Sequence, residues 1–199
     1  MRNMNIAAAA LLLASGSWLS ACSTMDDGMD AASASAGAEA TVMVGGAPMY
    51  ASRNIVENAV NSRDHTTLVA AVKAAGLVDT LMGAGPFTVF APVNAAFDRL
   101  PAGTVQTLLR PENKAMLQSV LTYHVVPGRL TAADLMSRIR AGGGTARLTT
   151  VNGGMLTARM RGDDIVIVDG MGGVATVTQA DVMQSNGVIH VTDRVSLAG

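Results

Sequence analysis

Residues 87–97 read Phe87-Thr88-Val89-Phe90-Ala91-Pro92-Val93-Asn94-Ala95-Ala96-Phe97. The run from Phe87 to Phe90 is aromatic and β-branched, the composition of a strand with side chains to bury. Pro92 brings no N–H to a sheet and limits that strand. Asn94 is a residue type that satisfies the free amides of a helix N-terminus. The stretch therefore predicts a strand delivered directly into a helix, with Phe87, Val89 and Phe97 turned to the core.

Upstream, Ser52 is placed to cap a helix in which Ile55, Val56, Ala59 and Val60 share a face. A second helix carries Leu68, Val69 and Val72 and stops at Gly76, and Leu77 to Met82 form a further helical turn before Gly83 and Pro86 break the pattern. Downstream of residue 97, Pro101 interrupts, then Thr104 to Leu109 and Asn113 to Leu121 read as helical, and Tyr123 to Val126 reads as a strand. Thr131-Ala132-Ala133-Asp134 is a capping box with Asp in the acidic position, and it opens a helix that runs to about Arg140 before Gly142-Gly143-Gly144. The pattern then changes. Ala146 to Val151 and Met155 to Met160 flank Asn152-Gly153-Gly154 as a hairpin, and Ile165 to Val168, Val174 to Val182 and Val188 to Thr192 add strands. Helices followed by a mostly antiparallel β region define an α+β domain, not alternating βαβ units.

A second motif, Ser185-Asn186-Gly187-Val188-Ile189-His190-Val191-Thr192-Asp193-Arg194-Val195, stands near the end of the chain. Asn186-Gly187 suits a turn into the last strand, where Val188, His190 and Thr192 face opposite to Ile189, Val191 and Asp193. With Tyr123-His124 between them, the two motifs resemble those of the fasciclin domain family in order and spacing, over about Tyr50 to Leu197. Val93 stands where the family often has Thr or Ser, and Thr192 where Ile is common, departures expected to alter packing more than fold. The resemblance implies a wedge of mostly antiparallel β-strands with several short α-helices packed along it. It also implies a domain for cell adhesion or matrix contact that catalyses no reaction. Within it Phe87, Pro92, Asn94, Phe97, Asn186, Gly187, His190 and Asp193 are structural motif residues. Tyr123 and His124 are candidate interaction residues, because the corresponding region of some animal members is implicated in integrin adhesion. Strand alternation would place those two on opposite faces of the sheet.

The N-terminal end reads differently. Arg2 precedes a short Ala/Leu-rich apolar run from Ile6 to Ser15, too brief to span a bilayer and typical of a signal peptide. Leu19-Ser20-Ala21-Cys22 resembles the lipobox of bacterial lipoproteins, which makes Cys22, the one cysteine of the chain, the expected lipidation site and mature N-terminus. Several acyl chains hold a protein stably where a single one binds reversibly. Ser23 after the cysteine favours the outer membrane over inner-membrane retention. Residues 1–21 are thus expected to be a leader, 22–47 a flexible Ala/Ser/Gly tether and 48–199 a single domain.

Composition excludes several functions. With 14 Lys and Arg against 15 Asp and Glu there is no basic cluster for a nucleic-acid backbone. His65, His124 and His190 are isolated, and neither zinc spacing nor a nucleophile-elbow motif occurs, so no metal, cofactor or catalytic residue is expected. Met25-Asp26-Asp27-Gly28-Met29-Asp30 lacks a full ligand set, and Gly170-Met171-Gly172-Gly173 leads into a β-like run instead of a phosphate-binding helix. Arg161-Gly162-Asp163 falls between two strands as an ordinary polar turn. Flexible filling of a core poor in aromatics is expected to account for most of the 13 methionines, over a soft binding face or oxidant scavenging. The expected function is lipid-anchored adhesion or envelope interaction with a protein or polysaccharide. The alternative is a carrier or sensor of a small hydrophobic ligand, held in a groove between helices and sheet.

Overall fold

The computed structural model describes residues 41–198, so the leader, Cys22 and the Met25–Asp30 run lie outside the described residues. Strands β1 (Thr41–Val44) and β2 (Ala47–Tyr50) form an opening hairpin, followed by α1 (Ile55–Ala59), α2 (Thr66–Ala75) and α3 (Val78–Met82). Then come β3 (Phe87–Pro92), α4 (Asn94–Asp98), α5 (Thr104–Leu108), α6 (Lys114–Tyr123), β4 (Val125–Pro127) and α7 (Ala132–Ala141). The chain closes with β5 (Thr145–Thr149), β6 (Met155–Arg161), β7 (Asp164–Val168), β8 (Val174–Gln184) and β9 (Gly187–Thr192). Seven strands make one sheet in the order β4-β3-β9-β8-β7-β6-β5, antiparallel throughout except for the parallel pair β3/β9. This is the expected α+β class.

The two sequence motifs meet in that parallel pair, in register from Phe87 opposite Gly187 to Pro92 opposite Thr192. Both strands are buried on both faces, which is why they read as nearly continuous apolar runs. Val89, Ala91, Ile189 and Val191 face a core shared with α2, α6 and the β1–β2 hairpin. Phe90 faces a second core, built with Leu135 and Ile139 of α7 and with Leu148, Leu156 and Ile167 of the β5–β7 meander. Gly187 is demanded by this pairing: a Cβ there would sit 2.1 Å from the Phe87 carbonyl oxygen. Beyond β5, the Val151 N–H donates to the Val125 carbonyl at 2.8 Å, bringing the far end of the meander back to β4.

Four local expectations change. Thr41–Tyr50, most of it within the expected tether, is a hairpin whose Val44 and Met49 enter the core, so ordered structure begins before residue 48. The cap of α1 is Asn54, not Ser52; its side chain accepts from Val56 and Glu57, and Glu57 closes a capping box. Asn94 does cap a helix N-terminus, but of α2 and not of its own helix: its oxygen accepts from the Thr67 N–H at 3.0 Å and its amide donates to the Arg63 carbonyl. Finally, Tyr123 ends α6 and His124 is its C-cap, so the strand starts only at Val125.

Candidate functional site

The helix end at Tyr123-His124 turns both side chains inward, leaving Tyr123 1 % and His124 3 % exposed. The expectation that strand alternation places them on opposite faces of the sheet is thereby corrected: both lie at a helix end, and both are buried. The Tyr123 hydroxyl donates to the Met155 carbonyl and accepts from the Gly170 N–H, both at 2.8 Å, joining α6 to the β5–β6 and β7–β8 loops. Burial, ahead of the Asp169 charge, raises its pKa against the Gly170 bond. Gly154 is required beside the ring, where a Cβ would lie 2.6 Å from Cε2. His124 Nδ1 contacts the Val120 carbonyl at 2.8 Å, and a carbonyl only accepts, so Nδ1 carries the proton and Nε2 accepts the Ser196 N–H at 2.9 Å. The ring is a neutral bridge between α6 and the segment after β9.

His190 is a second such bridge with the opposite tautomer. Its Nε2 donates to the Leu130 carbonyl at 2.8 Å, and its Nδ1 faces the Asp181 N–H at 3.4 Å, where β8 is irregular and Asp181 has φ +57°. His65 bonds Ser62 Oγ through Nδ1 at 2.9 Å, while its Nε2 lies by the Ala91 backbone without a well-formed hydrogen bond. For all three histidines desolvation is the largest influence and lowers the pKa, with backbone bonds and Asp64, Asp169 and Asp181 acting more weakly in the opposite sense. Neither His65 nor Ser62 is accessible, since Gly45 is packed so tightly over Ser62 that a Cβ would lie 2.4 Å from its hydroxyl. Among the described residues, no group of three or more His, Cys, Asp or Glu is placed to hold a metal ion.

The polar motif residues also bind inward. Asn186 accepts from the Ile55 N–H and donates to the Leu81 and Gly83 carbonyls, fastening α1 and α3 to the start of β9. Asp193 accepts the Thr176 N–H at 2.7 Å and faces Arg99 Nη1 at 3.6 Å. Two residues escaped sequence reasoning. Asp169 accepts from the Met171 and Gly173 N–H groups and, through Oδ2, from the Leu197 N–H, so it shapes the β7–β8 loop and holds the C-terminal segment. The surrounding glycines were the signal for the first role; nothing in the sequence signals the second. Arg99 likewise gave no sign of reaching β9.

Two hollows follow from this framework. A narrow apolar chamber of about 40 Å³ lies between α1, α2, α3 and β3, lined by residues such as Ile55, Leu68, Val72, Leu81, Val89 and His124. An open cleft of about 450 Å³ lies where the α4–α5 loop, the β7–β8 loop and the segment after β9 converge, and Arg99 and Arg194 line it. Arg161-Gly162-Asp163 is the exposed tip of the β6–β7 hairpin, with Gly162 at φ +64°. Among the described residues no helix is long and apolar enough to cross a membrane.

An α+β domain with two cores on either side of a parallel strand pair, and with its polar motif residues facing inward, is the class of protein this arrangement defines. The sequence model of the Fasciclin domain matches residues 63–197, and the chain belongs to that family. It is 46% identical over 159 residues to "Protein sll1483" of Synechocystis, covering 80% of this chain and 81% of that protein. It is 39% identical over 119 residues to "Cell surface glycolipoprotein MPB83" of Mycobacterium bovis, covering 60% of this chain and 46% of that one. The solved FAS1 domain pair of the insect cell adhesion molecule fasciclin I superimposes with a TM-score of 0.65 at 21% identity. That match covers 73% of this chain and 51% of the domain pair, and it establishes the fold.

Proposed function

We propose that this protein is a non-catalytic, lipid-anchored envelope protein in which Cys22 fixes a fasciclin domain to a membrane, with the outer membrane favoured, and the domain mediates adhesion or envelope contact with a protein or polysaccharide. The observation that carries this reading is the inward engagement of the side chains with chemistry to offer. His124, His190, Tyr123, Asn186 and Asp193 all bond within the domain, which leaves binding to its loops and clefts. The relative named a cell-surface glycolipoprotein and the fold match to an insect cell adhesion molecule support the same direction. Deleting residues 50–197 while keeping the leader and Cys22 is expected to lower attachment of the host cells to surfaces; unchanged attachment across several substrata overturns the adhesive role. Cys22→Ser is expected to abolish lipid labelling and detergent-phase partitioning.

The apolar chamber supports a second reading, the carrier of a small hydrophobic ligand. Its volume of about 40 Å³ is far below the roughly 300 Å³ at which ligand pockets begin, so that reading requires α1 and α2 to part. Native mass spectrometry of the protein decides it: a retained small molecule supports a carrier, and a clean apo mass removes it.

A further inference from the structure

We propose that the cleft between the α4–α5 loop, the β7–β8 loop and the segment after β9 binds an acidic peptide segment of a partner protein, in which a side-chain carboxylate is flanked by aliphatic residues. The inference rests on the binding reading above and gives the partner its chemistry.

The cleft is built to stay open. One wall is fixed by Asp169, whose Oδ1 accepts from Met171 and Gly173 and whose Oδ2 accepts from Leu197, so the loop and the C-terminal segment move as one piece. Gly173 is pressed against that carboxylate, 2.6 Å from Oδ2 to where a Cβ would stand. Nearby, Asp193 bonds the start of β8 through Thr176 and pairs with Arg99 of the α4–α5 loop, and the same guanidinium donates to the Asp193 carbonyl at 3.1 Å. A cleft whose walls are already fixed loses little entropy when a ligand enters.

Charge then selects the occupant. Both carboxylates are engaged, Asp169 by three backbone N–H groups and Asp193 by Thr176 and Arg99, so a cationic ligand finds no free acceptor of full charge. The guanidiniums are different. Arg194 is exposed, and its guanidinium has no ion pair or hydrogen bond among the described residues. Arg99 uses only Nη1, and its Nη2 and Nε have no hydrogen-bond partner among the described residues. Planar N–H forks of this kind suit carboxylates, which they bind in pairs of parallel bonds.

The remainder of the lining is aliphatic: Leu100, Pro101, Val174 and Leu197, with Met171 68% exposed at the mouth. An exposed methionine beside a free arginine is a surface that adapts to side chains and anchors a protein partner. None of the cleft's residues is aromatic, so a pyranose finds no ring face to stack on, and this favours a peptide over an acidic polysaccharide.

The test is a titration of the isotope-labelled full chain, followed by NMR at the arginine Nε–H groups and backbone amides. The probes are acetyl-Leu-Glu-Leu-amide, its Gln analogue and an oligouronate. The Glu peptide is expected to give saturable shifts at Arg194, Arg99, Met171, Gly173 and Leu197, with the Gln analogue bound at least about tenfold more weakly. Arg194→Glu is expected to weaken binding by a similar factor without lowering Tm, whereas Arg110→Glu, on a different loop, leaves it unchanged. No saturable shift up to roughly 10 mM peptide, equal binding by the Arg194→Glu variant, or tighter binding of the oligouronate overturns the proposal. Cells separate the two levels. Attachment lost on deletion of residues 50–197 but kept by Arg194→Glu removes the cleft and leaves the adhesive role, while peptide seating without any attachment phenotype removes the adhesive role and leaves the cleft.

Discussion

His124 Nε2 accepts the backbone N–H of Ser196 at 2.9 Å, so the C-terminal segment is held to the end of α6 by an imidazole buried at 3% exposure. His124→Phe keeps the ring volume and removes both bonds, leaving the Val120 carbonyl and the Ser196 N–H unpartnered. Each buried orphan costs about 1–3 kcal/mol, so a loss of about 2–5 kcal/mol is expected in urea unfolding. Because Leu197, whose N–H is held by Asp169, directly follows Ser196, faster amide exchange at Leu197 should accompany it. Unaltered stability would show the bridge to be dispensable.

Acid is expected to destabilise the domain through its histidines. Burial lowers the pKa of His65, His124 and His190 from 6.5, so the unfolded chain takes up protons before the folded one does. Stability therefore rises with pH in that window and is lost as pH falls from about 6.5 towards the lowered folded values. Each histidine contributes up to about 1.4 kcal/mol per pH unit. For His124 and His190 the geometry explains the cost: a second ring proton would point at the Ser196 or the Asp181 N–H. Chemical denaturation between about pH 7.5 and 5 measures the slope, and imidazole resonances titrating at 6.5 in the native protein would contradict it.

These groups show how far the sequence carries. The strand Phe87–Phe90, the helix ending at Gly76, the Thr131–Asp134 capping box and the Arg161–Asp163 turn are local, set by residue type and spacing within a few positions, and they are found where those signals place them. What stayed hidden is made by residues far apart. Asn94 carries the signature of a cap but serves a helix that starts 28 residues earlier, through Thr66 and Thr67. Tyr123-His124 leads into the β-branched pair Val125-Val126 and so reads as strand, yet the bonds to Met155, Gly170 and Ser196 fix it at a helix end. The Thr41–Tyr50 hairpin directly follows an Ala/Ser/Gly-rich run and has strands of only four residues, so its place in the fold rests on Val44 and Met49 reaching the core. The cleft needs three loops at once: Arg99 belongs to no recognisable pattern, and Arg194, although it stands in the second motif, carries no local sign of the loops it faces.

Asn186 offers a test of inward bonding. Its oxygen accepts from Ile55 at 3.1 Å and its nitrogen donates to the Leu81 and Gly83 carbonyls at 2.7 and 3.0 Å. Asn186→Ala orphans a donor and two acceptors and is expected to cost about 2–4 kcal/mol. Asn186→Asp should cost at least as much despite its near-identical shape, because it turns the donor into an anionic oxygen facing two carbonyls. Thermal unfolding of the pair reads this ordering; an Asp variant more stable than the Ala variant would mean that the amide is not oriented as described.

Gly187 and Gly162 separate space from backbone freedom. At Gly187 a Cβ would sit 2.1 Å from the Phe87 carbonyl oxygen and 3.1 Å from Ile55 Cδ1, so Gly187→Ala must push β3 from β9 where their parallel ladder begins. At Gly162 nothing lies within 4 Å of a Cβ, but φ is +64°. Gly162→Ala is therefore expected to cost only about 1–2 kcal/mol, the penalty of a left-handed residue. Gly187→Ala should cost about 3 kcal/mol or more, because the β3–β9 ladder and the packing of both cores are disturbed together. Urea midpoints of the two variants give the comparison, and equal losses would show that the β3–β9 contact yields freely.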